Sequence, residues 1–400
     1  MALRPKFDLL KSEAAPGAAV AAAAVIGFAL ANSPWAHRYF ELTQASYAIQ
    51  LGAFSETLSR EAWIRQGLMA VFFFLVGLEL KHEALRGELS GPRRLALPVI
   101  AALGGMVGPA VAYLMLNPGG EGAAHGWPVA TAGDTAIALA VLAVVGRGLP
   151  QSLRVFLQAM LIAGQLGVTA LIAVLYTGEI HMWPLAGAGL SLMGLVALSE
   201  WKDAPFLLRA VGYFTFWAFT LKAGVSTALA GTLAALTVPG TGRRPGHEAV
   251  LRHYRRTLKP YVEFAVLPLF ALTAAGVRIA SLAPGERLTP VMLGLLAALA
   301  VGKPVGAVAA AWIAVRTGLA RRPTGASWLE LWGACTLAGT GLAMGLFLAG
   351  LAFAAGSLDR ADATLGVMAG ALVAAGAGGG VLAMAATRRR RLRPDLDEAA

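Results

Sequence analysis

Apolar runs long enough to cross a membrane recur from one end of the chain to the other, each closed by a short cluster of charged, Gly or Pro residues. A crossing of ~30 Å of hydrocarbon takes about 20 helical residues. The pattern predicts helices near residues 15–31, 63–80, 95–116, 127–146, 153–176, 182–199, 206–221, 223–238, 260–277, 290–315, 328–354 and 362–386, twelve in all. The runs lack the period-two alternation of a membrane barrel, so their backbone must be satisfied within helices. The seventh and eighth are short and part at Lys222-Ala223-Gly224. The Ala-rich run Ala15–Ala31, preceded by Arg4, Lys6 and Lys11, has the layout of a secretory signal. With so many spans after it, it is expected to be the first transmembrane helix.

Composition agrees with the pattern. Of 400 residues, 57% are hydrophobic and only 14% charged, against about 25% charged in a soluble domain. A soluble protein is ruled out, and the expected fold is an all-α integral membrane protein forming one polytopic domain over 1–400, with a basic then acidic tail at 387–400. The formal net charge of +11 is unevenly placed. Of 33 Lys and Arg, one set of connecting segments holds only Arg38, Arg60, Arg65, Arg278, Arg287 and Arg360, and Lys222 and Lys303 stand in apolar surroundings. All the rest fall on the opposite side, which puts both termini in the cytoplasm by the positive-inside rule. The basic residues are dispersed at helix ends, not gathered on an aromatic-studded face, so nucleic acid is excluded as a partner. The run Arg388–Arg391 reads as a topology anchor in contact with membrane lipid.

Charges within apolar spans are expensive and are candidates for function. Asp134 lies about seven residues into the fourth span, in Thr131-Ala132-Gly133-Asp134-Thr135. Lys303 lies about thirteen residues from either end of the tenth, ~20 Å deep at 1.5 Å per residue. Asp134 has a bland local reading as the N-cap of a helical start; a helix that starts inside a membrane is itself the mark of a transporter site. Snorkelling, the bland reading of Lys303, is opposed by its depth. The eleventh span is interrupted at Gly339-Thr340-Gly341, mirroring the break at Thr131 and Gly133 in the fourth. Spans 3–5 and 10–12 start on opposite sides, so the two breaks occupy corresponding positions of inverted repeats, which points to a midplane ion site. Glu263 follows Lys259 by four residues and forms an interfacial pair. Glu79, Lys81 and Glu83 close the second span as solvated groups, Lys222 snorkels at an outer helix end, and Arg243–Lys259 is an orienting basic loop in which Arg255 and Arg256 lack acidic partners.

Other chemistries find no support. None of the six histidines falls at mid-membrane, so a zinc site or His-based hydrolase is not indicated. One cysteine, Cys335, allows no internal disulfide. An intramembrane aspartyl protease needs two carboxylates sharing a proton, and only Asp134 is deep enough. The protein is read as a non-enzyme with no cofactor.

The chain resembles the NhaA family of bacterial sodium/proton antiporters along nearly its whole length. The residues that carry the resemblance are Ala31-Asn32-Ser33, Leu68-Met69-Ala70-Val71-Phe72-Phe73 with Gly77-Leu78-Glu79, Pro98 to Met106, Asp134-Thr135-Ala136-Ile137-Ala138-Leu139, Leu267-Pro268-Leu269-Phe270-Ala271 and Gly302-Lys303-Pro304-Val305-Gly306. The resemblance implies a dimeric inner-membrane antiporter in which broken helices 4 and 11 cross at the site, Asp134 faces the crossed backbone ends and Lys303 compensates charge. It also implies a cytoplasmic funnel at Glu79 and Glu83, with Na+, Li+ and protons as the transported ions.

Two departures stand against this pattern. Where the family has adjacent aspartates in the fifth span, this chain reads Leu161-Ile162-Ala163-Gly164-Gln165-Leu166-Gly167, and Gln66 replaces a further family aspartate. Gln165 can offer a carbonyl oxygen to a cation but cannot titrate. One reading has Asp134 and Gln165 hold the cation while Lys303 carries the proton, one for one. The other is a paralogue with an altered substrate, or with a non-exchanging membrane role.

Overall fold

The computed structural model describes residues 14–51, 54–86, 92–118, 124–146, 148–201, 205–240, 247–279 and 289–392. Arg4, Lys6, Lys11, Arg147, Lys202, Arg243, Arg244, Arg287, Arg393 and the acidic end of the tail lie outside them. The described chain is mostly helical. Among the described residues seven helices are long and apolar enough to cross a membrane, or nine if two bent pairs each count as one span. The expected count of twelve is therefore not reproduced. Ala15–Ala31, Phe206–Lys222, Thr227–Thr237 and Leu267–Ala274 form where spans were expected, but each is shorter than a full crossing of about 20 residues.

Backbone contacts divide the chain into two compact units, one drawn from Met1–Asn32, Gly91–Gly167 and Ala274–Ala400, the other from Ser33–Ser90 and Val168–Thr273. In the first, Pro92–Leu116 packs on Lys303–Arg316 through facing glycines. A Cβ on Gly104 would lie 2.3 Å from the Gly306 carbonyl oxygen, and one on Gly108 2.3 Å from that of Gly302. Small residues let helices approach this closely in lipid, where apolar side chains add no hydrophobic drive, and the contact seats Lys303 beside its glycine neighbour. Beneath it a core of Leu97, Phe156, Leu157, Leu331 and Leu337 is fully buried. Glu330, 1% exposed, closes a capping box with Ser327 and takes hydrogen bonds from Arg389 near the end of Leu358–Leu392.

Among the described residues three π-turns interrupt the helices, at Ile64–Leu68, Val262–Val266 and Ala298–Gly302. Two have a local cause: Pro268 and Pro304 clash with the carbonyls four residues earlier, Phe264 and Ala300, and the ladder widens there. At the third the indole of Trp217 donates to the Gln66 carbonyl oxygen at 2.9 Å, taking an acceptor from the ladder.

The second unit holds elements absent from the hydropathy reading. Helix Ala36–Gln44 precedes an antiparallel hairpin, Ser46–Leu51 with Phe54–Ser59, in which Tyr47 pairs with Leu58. The expected basic loop is instead a helix, His247–Tyr261. Gly231 packs on the backbone of Ala70, and Lys81 donates to the carbonyls of Leu236 and Val238 at 2.6 and 2.7 Å, closing helix Thr227–Thr237. Lys81 is thus a cap, not a solvated charge. Lys222 has an acidic partner, Glu56, at 3.9 Å. Glu79 is only half-exposed and faces Lys259 at 4.0 Å, while the expected Lys259–Glu263 pair forms at 3.6 Å. The basic helix is therefore supplied with acid from its own turn and from another helix, and Arg255 also acts electrostatically on Glu79.

Candidate functional site

Two broken helices of the first unit meet at their breaks. Trp127–Ala130 stops at Thr131 and restarts as Thr135–Val145; Trp328–Leu337 stops and restarts as Leu342–Ala352 with a bend of 48°. The breaks touch, since a Cβ on Gly341 would lie 2.5 Å from the Ala132 carbonyl oxygen; the second break also packs on the π-turn Ala298–Gly302, where a Cβ on Gly339 would lie 2.3 Å from the Leu299 carbonyl oxygen. Only glycine permits this approach. All five residues read from the sequence as helix breaks, Thr131, Gly133, Gly339, Thr340 and Gly341, lie between the half-helices.

Each interruption leaves backbone groups without ladder partners, and two charged side chains meet them. Asp134, 7% exposed, accepts from the Ala136 amide through Oδ1 at 3.0 Å and from the Ala343 amide through Oδ2 at 3.2 Å. The first bond is the local N-cap. The second joins the start of the other broken helix, so one carboxylate serves two half-helix N-termini, the positive ends of their dipoles. Lys303, 5% exposed, donates to the Thr131 carbonyl at 2.8 Å and to that of Ala132, at the negative end of Trp127–Ala130. The fourth end is met without charge: Thr340 Oγ1 donates to the Leu337 carbonyl at 2.7 Å. Thr131 does the same for Pro128, also at 2.7 Å.

Asp134 and Lys303 are therefore held by backbone atoms rather than by each other. Each carboxylate oxygen accepts from one of these amides, and a carboxylate oxygen has a second lone pair to offer. A Cβ on Gly133 would lie 3.4 Å from Lys303 Nζ and 3.5 Å from the Ala338 carbonyl oxygen, so acid, amine and crossed backbone share one small volume.

The fifth-span residues border this arrangement. Gln165 Nε2 donates to the Met344 sulfur at 3.6 Å, one residue beyond the Ala343 amide that holds Asp134. Around Gly164 there is room, with nothing within 4 Å of an added Cβ. Glu79 and Glu83 belong to the second unit, with Lys259 and Glu263. Ala132, Ala343 and Met344 were given no role in the sequence reading. The first two act through backbone atoms, for which a helix break is the only signal; Met344 looks like an ordinary apolar residue.

The family model described as Na+/H+ antiporter 1 matches residues 7–382. The chain is similar to Na(+)/H(+) antiporter NhaA 2 of Erythrobacter litoralis, 38% identical over 95% of this chain and 94% of the relative. It is similar to the Na(+)/H(+) antiporter NhaA of Bordetella parapertussis, 41% identical over 92% and 93%, and to that of Rhodospirillum rubrum, 39% identical over 98% and 99%.

Proposed function

The chain belongs to the Na+/H+ antiporter 1 family, the NhaA antiporters, and from that premise we propose that Asp134, Gln165 and Lys303 carry its sodium/proton exchange. It is a multi-pass bacterial membrane protein and a sodium/proton antiporter. The observation that carries the site assignment is the Asp134 carboxylate shared between two half-helix N-termini, opposite an ammonium on half-helix carbonyls.

An antiporter needs a group that holds either the cation or the proton. Asp134⁻ with Lys303⁺ sums to zero, and a sodium or lithium ion arriving at Asp134, with the Gln165 carbonyl as a second oxygen ligand, makes the site positive. Release of one proton from Lys303 restores neutrality. Alternation of the crossed breaks between the two sides then returns the lysine to protons and the carboxylate to the cation. The stoichiometry is one proton per monovalent cation. The breaks at Thr131–Asp134 and Ala338–Gly341 are read as equivalent points of inverted repeats, spans 3–5 and 10–12, in a twelve-span chain with cytoplasmic termini, set in the inner membrane as a homodimer. Glu79 and Glu83 line the cytoplasmic approach, with Lys259 between Glu79 and Glu263.

Proteoliposomes given sodium or lithium over a range of pH test the reading. A cation-driven proton flux is expected, and Lys303→Gln is expected to abolish the coupled proton movement. A folded protein without such flux at any pH would establish the other reading, in which loss of the aspartate pair at Gly164 and Gln165 leaves a non-exchanging or differently selective paralogue.

A further inference from the structure

Helix Gln151–Leu175 bears on the ion site through Met160 and Leu161. A Cβ on Gly105 would lie 3.4 Å from Met160 Cε and 3.7 Å from Lys303 Cγ, and one on Gly133 would lie 3.4 Å from Lys303 Nζ and 3.7 Å from Leu161 Cδ2. Gly164 follows Met160 by four residues and Leu161 by three, so it stands on the same face of the helix, one turn further on. Among the described residues nothing lies within 4 Å of a Cβ placed there. On the face that bears on Lys303, the helix thus presents a position with no side chain and no neighbour in its place.

The oxygens around this position are weak ligands. Asp134 supplies negative charge, but its carboxylate already accepts from the Ala136 and Ala343 amides at 3.0 and 3.2 Å, and the Lys303 ammonium adds positive charge to the same small volume. Gln165 adds no charge. Its Nε2 donates at 3.6 Å to the sulfur of Met344, which is 2% exposed. A thioether only accepts, so Met344 decides which end of the amide it meets and turns the carbonyl oxygen the other way.

Leaving water costs a small cation more than a large one, because its hydration is tighter. A carboxylate offsets more of that cost for the small ion, because attraction grows as the distance falls. One shared carboxylate with one neutral carbonyl therefore serves lithium worst, and potassium best, relative to their hydration. Cavity size and ligand field strength are the two accounts of such selectivity, and here both favour the larger ion. Resting on the exchange reading above, we infer that this site takes potassium as a substrate alongside sodium and discriminates against lithium, with Gly164 as the position that sets the limit on ion size.

Proteoliposomes holding the full chain and a pH-sensitive dye, with choline as the balancing cation and no ionophore, are given sodium, potassium or lithium chloride, and protein-free liposomes give the leak. Potassium is expected to drive a proton flux with a KM within about tenfold of the sodium value, and lithium to have the highest KM of the three. Gly164→Ala narrows the site without adding charge. It should raise KM for potassium about tenfold more than KM for sodium, the order of magnitude for one methyl group in a binding pocket. Gly164→Asp with Gln165→Asp should bring lithium to the level of sodium. Sodium exchange without potassium exchange overturns the inference and leaves the sodium/proton reading standing, as does lithium exchange by the native chain at the KM of sodium or below. Equal rises in both KM values for Gly164→Ala overturn the role of Gly164. A folded protein that moves protons with none of the three cations overturns the exchange reading itself, and this inference with it.

Discussion

Asp134→Asn keeps the size and shape of the side chain and removes its charge. The two oxygens of Asp134 accept from two amides, those of Ala136 and Ala343. Asparagine has one carbonyl oxygen, so one of these buried N–H groups must face an amide NH2, at a cost of about 1–3 kcal/mol for an unsatisfied donor. The charge also meets two helix N-termini, each worth about 0.3–1 kcal/mol and up to ~2 where partly buried. The total loss is about 2–5 kcal/mol, and Lys303 is left charged with no counter-ion at the crossing. Thermal unfolding of the purified protein should show a lower midpoint, and sodium-driven proton release from everted vesicles should be lost. Because the same crossed ends couple the two charges, Lys303→Met added to Asp134→Asn should recover part of the midpoint, with a coupling of about 1–3 kcal/mol in the double-mutant cycle. Additive losses from the two substitutions, or native exchange by Asp134→Asn, would refute the argument that one carboxylate balances both half-helices and the lysine.

Gly341→Ala places a methyl 2.5 Å from the Ala132 carbonyl oxygen, backbone that cannot turn aside; the crossing should open, costing at least about 1–3 kcal/mol and most of the exchange rate measured in proteoliposomes. Gly164→Ala meets nothing within 4 Å and should melt about 0.5–1 kcal/mol higher, the ordinary gain of alanine over glycine inside a helix. That same room should accept Gly164→Asp with Gln165→Asp, and the pair should turn exchange that ignores the membrane potential into exchange that responds to it, read by clamping the potential with potassium and valinomycin. Glu330→Gln breaks a carboxylate that is 2% exposed away from an Arg389 that is 34% exposed. It should cost about 2 kcal/mol, between the roughly 0–1 of an exposed pair and the roughly 3–5 of a buried one because one partner is wet, and Arg389→Lys should keep only part of the stabilisation by losing the two-nitrogen hold.

Much of the architecture was legible along the chain because a hydrocarbon solvent imposes a strong one-dimensional rule. Gln151–Leu175, Met182–Glu200 and Pro290–Arg316 lie within two residues of the spans read from hydropathy. The elements missed were those the rule does not govern. The hairpin Ser46–Leu51/Phe54–Ser59 and helix Ala36–Gln44 are short and polar, and helix His247–Tyr261 has an amphipathic pattern too charged to read as a span. Charge partners depended on spacing in the same way. Lys259 with Glu263 is an i,i+4 pair and visible in sequence, whereas Glu56 with Lys222 and Glu79 with Lys259 join segments far apart in the chain.

By itself the sequence determined that the protein lives in a membrane, where its long apolar helices run and which two charges are buried among them, because burying charge in hydrocarbon is costly enough to make every exception conspicuous. It also marked Thr131–Asp134 and Gly339–Gly341 as breaks, since glycine and short polar residues weaken a helix wherever they stand. Only the tertiary structure decided what the two charges do. That Asp134 reaches the Ala343 amide, and Lys303 the carbonyls of Thr131 and Ala132, depends on two interrupted helices meeting where glycine lets their backbones touch. Backbone amides and carbonyls are the same at every position in a sequence; folding alone leaves four helix ends at one point and makes them a site.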